Sequence, residues 1–386
     1  MSIRYGPEMR VLIVGGGIAG LTLAALLQQR GFSPVVAEKS VDYGGAGYVL
    51  GLFPAGSRIL KGLGLFPQFQ RSGEPLALYE VANARGECLH LYHFAPMAEK
   101  YGPIISIYRP DLIAVLRSAI APERLRMGTT IETLAQTPEE VQATFSDGGL
   151  ETFDLVVGCD GLRSRTRQMI FGDAALTYLG MTGWGFWIPP HLTPSDKVTE
   201  YWGDGKLFGI YPMKDRWCAF TGVNLPAETP DPVETRIDRI REHFAGFGGL
   251  VPQISSSLDQ PETMFHDDYN DVRLEHWHSG RVALIGDAAH AILPTGGAGA
   301  SLAMESAAVL AEELCRADSQ TLGFALDQYT ARRRSRVDTI QTQSRLYGKA
   351  MLLHGLLGEA VRETSFRLLS EAQFFRFWDN IMAEPL

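Results

Sequence analysis

Three glycines at fixed spacing constrain this chain more than any other feature. Gly15, Gly17 and Gly20 stand between an apolar run, Arg10 to Val14, and a helical run ending at Arg30. The first run reads as a buried parallel strand, and Gly31 suits the C-terminal cap of the helix. A second strand, Phe32 to Glu38, follows. This is G-x-G-x-x-G in a strand-turn-helix-strand setting, the pattern that binds a dinucleotide. Gly15 permits the tight turn, Gly17 lets a pyrophosphate approach the backbone, and Gly20 lets helix and strand pack closely. Ile18 and Ala19 lie in the first turn of the helix, whose free N–H groups attract phosphate. Glu38, 18 residues after Gly20, ends the second strand. A carboxylate there accepts ribose hydroxyls and repels a 2′-phosphate. Lys39 comes next and belongs to the same candidate site. The pattern alone does not separate NAD from FAD.

Two later segments bear on that choice. Asp154 to Gly158 reads as a buried strand entering Cys159-Asp160-Gly161, then Ser164 and Arg167. Arg281 to Ile285 reads as another, entering Gly286-Asp287-Ala288-Ala289-His290, Pro294 and the glycine-rich stretch Gly296 to Ala300. A long helix, Ser301 to Arg316, follows. Its N-terminal dipole end, near Gly299, would stabilise negative charge on a reduced flavin placed against it. Gly296, Gly297 and Gly299 leave room for a ring beside the backbone.

The trio G-x-G-x-x-G, D-G-x-x-S-x-x-R and G-D-A-A-H-x-x-x-P resembles the class A, single-component FAD-dependent monooxygenases. These include para-hydroxybenzoate hydroxylase, kynurenine monooxygenase and the tetracycline-inactivating oxygenases. Gly44-Gly45-Ala46-Gly47, Pro54 and Leu63-Gly64-Leu65 match the family's flavin-side loop and helix. The resemblance spans nearly the whole chain. It implies an α/β fold with a Rossmann-like FAD-binding domain of GR2 type (1–75, 104–175 and 280–323). An inserted antiparallel-sheet substrate domain (76–103 and 176–279) and a C-terminal helical segment (324–386) complete it. It implies that Glu38 holds the adenosine ribose, that Thr130 meets adenine through its backbone, and that Asp287 bonds the ribityl or pyrophosphate region. Pro294, Gly297, Gly299 and Ala300 would lie along the isoalloxazine edge, and Arg109 would contact the flavin or its phosphates. Asp160 belongs to a motif the family associates with flavin and nicotinamide phosphates, and its nearer role is to brace the fold. Glu305 stands where the family usually has Asp.

The activity so implied is FAD-dependent hydroxylation or epoxidation of an aromatic or polyketide-like molecule, with NADPH or NADH and O2 as co-substrates. Oxygen is activated as a hydroperoxide at flavin C4a, so no protein nucleophile is needed. With one dinucleotide fold, the nicotinamide would bind transiently at the surface. A flavin-dependent reductase or dehydrogenase, a halogenase and a non-enzymatic redox sensor share some of these motifs. Trp184-Gly185-Phe186-Trp187-Ile188-Pro189 resembles the W-x-W-x-I-P signature of flavin-dependent halogenases. Those enzymes also need a catalytic lysine, and Lys61 is expected to face solvent.

Between the second and third motifs the chain reads as aromatic-rich strands: Leu76 to Phe94, Tyr178 to Pro189, Val198 to Tyr211 and Arg216 to Val223. Trp184, Phe186, Tyr201, Phe208, Tyr211 and Phe220 are candidate walls of a substrate pocket. Single-sequence alternation does not separate pocket from core here. Arg109 precedes Pro110 and is expected at a helix N-cap. Arg332-Arg333-Arg334-Ser335-Arg336 reads as a solvated basic face balanced by Asp327 and Asp338.

The net charge of −9 argues against nucleic acid. Cys88, Cys159, Cys218 and Cys315 form no C-x-x-C pair, which fits free thiols in a reducing cytoplasm. The histidines lack metal-ligand spacing. The apolar run Val11 to Leu27 is short for a span and broken by glycines, so no membrane span is expected. Either a monomer or a homodimer is compatible with the sequence.

Overall fold

The computed structural model describes residues 6–43, 47–173 and 176–382. Its centre is a six-stranded sheet in the spatial order 278–279, 282–284, 155–158, 11–14, 35–38, 125–127. All pairs are parallel except the edge hairpin His278–Ser279 with Val282–Leu284. The central strands are fully buried runs such as Val11–Val14, as expected of a sheet covered on both faces. Helices Ile18–Gln29 and Gly299–Cys315 cover one face. A three-stranded antiparallel meander, 131–136, 141–145 and 150–153, covers the other.

Val14 lies opposite both Ala37 and Gly158, and Gly158 lies opposite Leu284. The strands therefore end in step. Gly15, Glu38, Cys159 and Gly286 leave the sheet side by side at its carboxyl edge, where open α/β sheets bind ligands. Register alone thus joins three motifs separated by almost the whole chain.

A seven-stranded sheet stands over that edge, in the order 265–271, 177–188, 216–222, 206–213, 197–203, 78–83, 88–93. The expectation of an antiparallel sheet needs one correction. Lys197–Gly203 pairs parallel with Leu78–Asn83, because the chain returns to this sheet only after a long crossover through the other domain. Val198 to Tyr211 is also two strands, not one. Asp204 and Gly205, both at positive φ (49° and 67°), turn the chain between them, as an Asp-Gly hairpin turn requires.

The sheet's outer face carries a separate apolar core beneath helices Arg236–Phe244 and Val251–Ser256. Its inner face looks onto the carboxyl edge of the parallel sheet. Helix Leu322–Met351 then runs 30 residues along the seam. Gln341 donates to the carbonyls of Val272 and Ala291, and Thr295 donates to that of Ser344.

The basic run on this helix is not a solvated face. Arg333 is buried and donates to Glu305 at 2.7 Å, and Arg336 donates to the same carboxylate at 2.6 and 2.8 Å. Arg332 pairs with Glu312 and Glu313, and Arg334 lies over the Trp277 ring. Among the described residues no helix is long and apolar enough to cross a membrane, and no His/Cys/Asp/Glu group fit for a metal occurs.

Candidate active site

The glycine turn is built by contact. Gly15 has φ +108°, and a Cβ there would stand 2.5 Å from the Cys159 carbonyl oxygen. A Cβ on Gly20 would stand 2.0 Å from the Gly15 oxygen. Gly17 is different, because a Cβ there would meet nothing within 4 Å. It opens into a cavity of about 500 Å³, together with Ile18 and Ala19. Glu38 accepts from the backbone N–H groups of Gly16 (2.7 Å) and Ser40 (2.9 Å), which fixes its carboxylate beside the turn. Next to it, burial and Glu38 push the Tyr43 hydroxyl up to about 12. Lys39 is exposed. Thr130 is in the loop before strand Ile131–Gln136. Its N–H and C=O both bond Ser146.

Asp160 turns its carboxylate into its own motif. It accepts from the Ser164 hydroxyl and from the backbone and hydroxyl of Thr166. Ser164 in turn caps helix Arg165–Phe171 through the Arg167 N–H. The Arg167 guanidinium donates to the carbonyls of Leu162 and Ala288. The second motif is thereby tied to the third. Its neighbours Cys159 and Gly161, not Asp160, line the cavity.

Asp287 is exposed to the cavity, although the protein packs densely around it. Enclosure raises its pKa and the Arg109 charge lowers it. Arg109 is the first residue of helix Arg109–Arg117, with Tyr108 at the N-cap, which resolves the poor fit of arginine to a cap. Its side chain also lines the cavity and packs on Gly47, where a Cβ would come within 3.1 Å of Arg109 Cδ. Gly44 to Ala46 lie outside the described residues.

Past Asp287 the chain makes a single 3-10 turn at Pro294–Gly296, then Gly297 at φ +60°, then helix Gly299–Cys315. No side chain caps that helix, so its first N–H groups are open to a ligand. Pro294, Gly297, Gly299 and Ala300 all face the cavity. His290 does not. It is buried on Ser306 (2.9 Å) and beside Trp277, and burial holds its pKa near 3, as a neutral imidazole.

The roof corrects the sequence reading. Tyr211 and Phe220 line the cavity. Trp184, Phe186, Tyr201 and Phe208 do not, for they belong to the outer core with Phe244 and Phe247. Strand side chains alternate faces, and Phe208 is on the opposite face from Leu207, which lines the cavity. The halogenase-like segment therefore turns Trp184 and Phe186 away from the cavity. Lys61 is exposed over Phe66.

Sequence reasoning missed Glu200, Tyr79 and Tyr347, which line the cavity together with Trp378. Glu200 is 7% exposed. It accepts from the hydroxyls of Tyr211 (2.6 Å) and Tyr79 (2.7 Å) and from the Trp202 indole N–H (2.9 Å). The hydroxyls of Tyr79 and Tyr347 are 2.6 Å apart. Trp378, from the last helix, stacks on Phe53 at 5.5 Å. The available signal was a lone carboxylate in the aromatic strand Lys197–Gly203.

The FAD binding domain family matches residues 8–344. The chain belongs to this family. It is 31% identical over 272 residues to 2-heptyl-3-hydroxy-4(1H)-quinolone synthase of Pseudomonas aeruginosa, covering 69% of this chain and 70% of that one. It is 30% identical to a flavin-dependent monooxygenase from an unknown prokaryotic organism, over 82% and 84% of the two chains. Klebsiella pneumoniae HpxO, solved with FAD and uric acid, superposes with a TM-score of 0.90 at 25% identity, over 99% of each chain. The protein is accordingly a flavin-dependent monooxygenase with FAD as its cofactor.

This family member's site fits FAD on its own geometry. The open space over Gly17 and the uncapped N-terminus of Gly299–Cys315 lie in one cavity. Both present backbone N–H groups to a ligand carrying negative charge at the pyrophosphate and, when reduced, at the ring.

Proposed function

We propose that this FAD-dependent monooxygenase uses NADH or NADPH and O2 to hydroxylate or epoxidise an aromatic small molecule. The observation that carries the reading is the continuity of one cavity from Gly17 past Asp287 and Gly297 to Tyr211, Phe220 and Glu200. A flat substrate there would be stacked against whatever ring lies along the Pro294 to Ala300 edge. The molecules named for the relatives, a 3-hydroxy-4(1H)-quinolone as the product of one and uric acid bound in the other, are flat heteroaromatics.

Bound FAD supplies the redox chemistry, passing electrons from the nicotinamide to oxygen and one oxygen atom to the substrate. The chain's own part is to bind, orient and keep out water. Glu38, Gly15, Gly17, Gly20, Ile18 and Ala19 would hold the adenosine ribose and pyrophosphate, with Thr130 and Lys39 near the adenine end. Arg109 and Asp287 would meet the ribityl chain and phosphates. Gly297, Gly299 and Ala300 would lie on the ring's edge, and their N–H groups would favour its reduced anionic form. Asp160 would act through the fold, since its carboxylate is occupied by Ser164 and Thr166. A reducing, cytoplasmic setting accords with four free cysteines.

The test is oxidation of NADH and NADPH by the purified yellow protein, with and without an aromatic panel. Stimulated oxidation with a product heavier by one oxygen supports the reading. A flavin that neither nicotinamide reduces, with or without an aromatic present, overturns it.

A further inference from the structure

We propose that Glu200 sets substrate choice, by accepting a hydrogen bond from a ring N–H or O–H and by excluding substrates that carry a carboxylate. This rests on the cavity being the oxygenation site. A carboxylate offers roughly four acceptor positions. Three are filled: Oε2 by Tyr79 and Trp202, Oε1 by Tyr211. Among the described residues nothing fills the fourth, on Oε1, and the side chain lines the cavity.

The groups around it are arranged for an anion. Tyr79 donates to Glu200, so at the 2.6 Å contact Tyr347 donates to Tyr79. Tyr269, also on the cavity wall, donates away from it, to the Thr221 carbonyl. Every polar hydrogen placed on Glu200 thus points at it. The bonds from Tyr211, Tyr79 and Trp202 lower the carboxyl pKa, but burial outweighs them and leaves it raised.

Charge decides what can share this space. Among the described lining residues the charged side chains are Arg109, Glu200 and Asp287, and Arg109 acts on Asp287. Among the described lining residues no cation accompanies Glu200. An anionic substrate would place like charges together in a poorly hydrated cavity, which is costly. A neutral heteroaromatic with a ring N–H, or a neutral phenol, would fill the open acceptor position. Its hydrogen bond to a carboxylate would also press electron density into the ring, which an electrophilic oxygen donor needs.

The FAD-loaded full chain is titrated with 4(1H)-quinolone, 1-methyl-4(1H)-quinolone and quinoline-4-carboxylate, following the flavin absorbance. The expected result is binding of the first, weaker binding of the N-methyl compound on the order of tenfold, and no saturation by the carboxylate. Glu200→Gln should shrink the first difference and admit the carboxylate. Equal binding of the three, preference for the carboxylate, failure of 4(1H)-quinolone to bind, or unchanged selectivity in a folded Glu200→Gln overturns the proposal.

FAD content and melting temperature report whether that variant folds. If it does not, Tyr211→Phe carries the test. Losing a donor raises the Glu200 pKa, so the pH below which 4(1H)-quinolone binding weakens should move up. An unmoved midpoint overturns the proposal. Nicotinamide oxidation stimulated by any other aromatic in the same wild-type preparation keeps the oxygenase reading even when the quinolone results go against Glu200. A flavin that neither nicotinamide reduces counts against the oxygenase alone.

Discussion

Arg333 donates to Glu305 at 2.7 Å, and each side chain is 1% exposed. The two belong to different helices, Leu322–Met351 and Gly299–Cys315. Removing one partner strands a charge in the interior, which costs about 3–5 kcal/mol. Glu305→Leu is therefore expected to lower the denaturation midpoint sharply. The double variant Glu305→Met with Arg333→Met should recover part of that loss, because Arg333 leaves with the carboxylate while Arg336, 11% exposed, loses it. Chemical denaturation of the three proteins measures it, and a double variant no better than Glu305→Leu would show that the pair does not act as a unit.

The glycines of the turn should separate by function. A Cβ on Gly20 collides with the Gly15 carbonyl, whereas one on Gly17 meets only open cavity. Gly20→Ala is expected to lower the melting temperature of the cofactor-free protein. Gly17→Ala should leave that temperature unchanged and weaken FAD binding by about tenfold or more, or about 1.4 kcal/mol. Melting curves and FAD titration read the two effects. Equal behaviour of the variants would remove the distinction.

The two faces of the roof sheet predict opposite phenotypes. Phe208 packs in the outer core, and Tyr211 lines the cavity. Phe208→Leu should cost about 1–2 kcal/mol of stability with KM for substrate unchanged. Tyr211→Phe should raise KM, which Phe208→Leu does not. Steady-state kinetics with any substrate from the aromatic panel, beside thermal unfolding, decide this.

His290 gives a pH signature. Burial and the nearby Arg333 charge hold its folded pKa near 3, below the ordinary 6.5. Between those values the unfolded chain binds a proton that the folded chain refuses. Stability therefore rises with pH in that window and falls as pH drops from 6.5 towards 3. The contribution approaches about 1.4 kcal/mol per pH unit. His290→Gln should flatten the stability profile between pH 6 and pH 4 by up to that slope. An unchanged slope would mean that His290 takes up a proton in the fold.

The motifs were legible because their physics is local. A turn that needs Gly15 or a helix that needs Gly31 at its end leaves its mark within a few residues. The convergence of Glu38, Asp160 and Asp287 regions followed from parallel strands ending in register. The roof was not legible for a geometric reason. Read as one strand, Val198 to Tyr211 puts Tyr201 and Phe208 on opposite faces. The Asp204-Gly205 turn instead pairs them directly and sends both outward, leaving Glu200 inward. The pairing of these arginines was missed because their partners, Glu305, Glu312 and Glu313, come from another helix. Solvation of a charge is decided by distant packing, not by its neighbours in the chain.

Helix Leu322–Met351 is about 45 Å long, and its middle and its far end do different work. Near its middle Arg333 and Arg336 are locked to the helix that opens at Gly299. At its far end Tyr347 and Met351 form part of the cavity wall. Substrate preference is therefore not a portable property of the roof sheet. A chimera that exchanged only residues 76–103 and 176–279 with a relative would inherit a mismatched wall. Directed recombination in this chain should keep the roof and everything after Leu322 on the same side of the crossover.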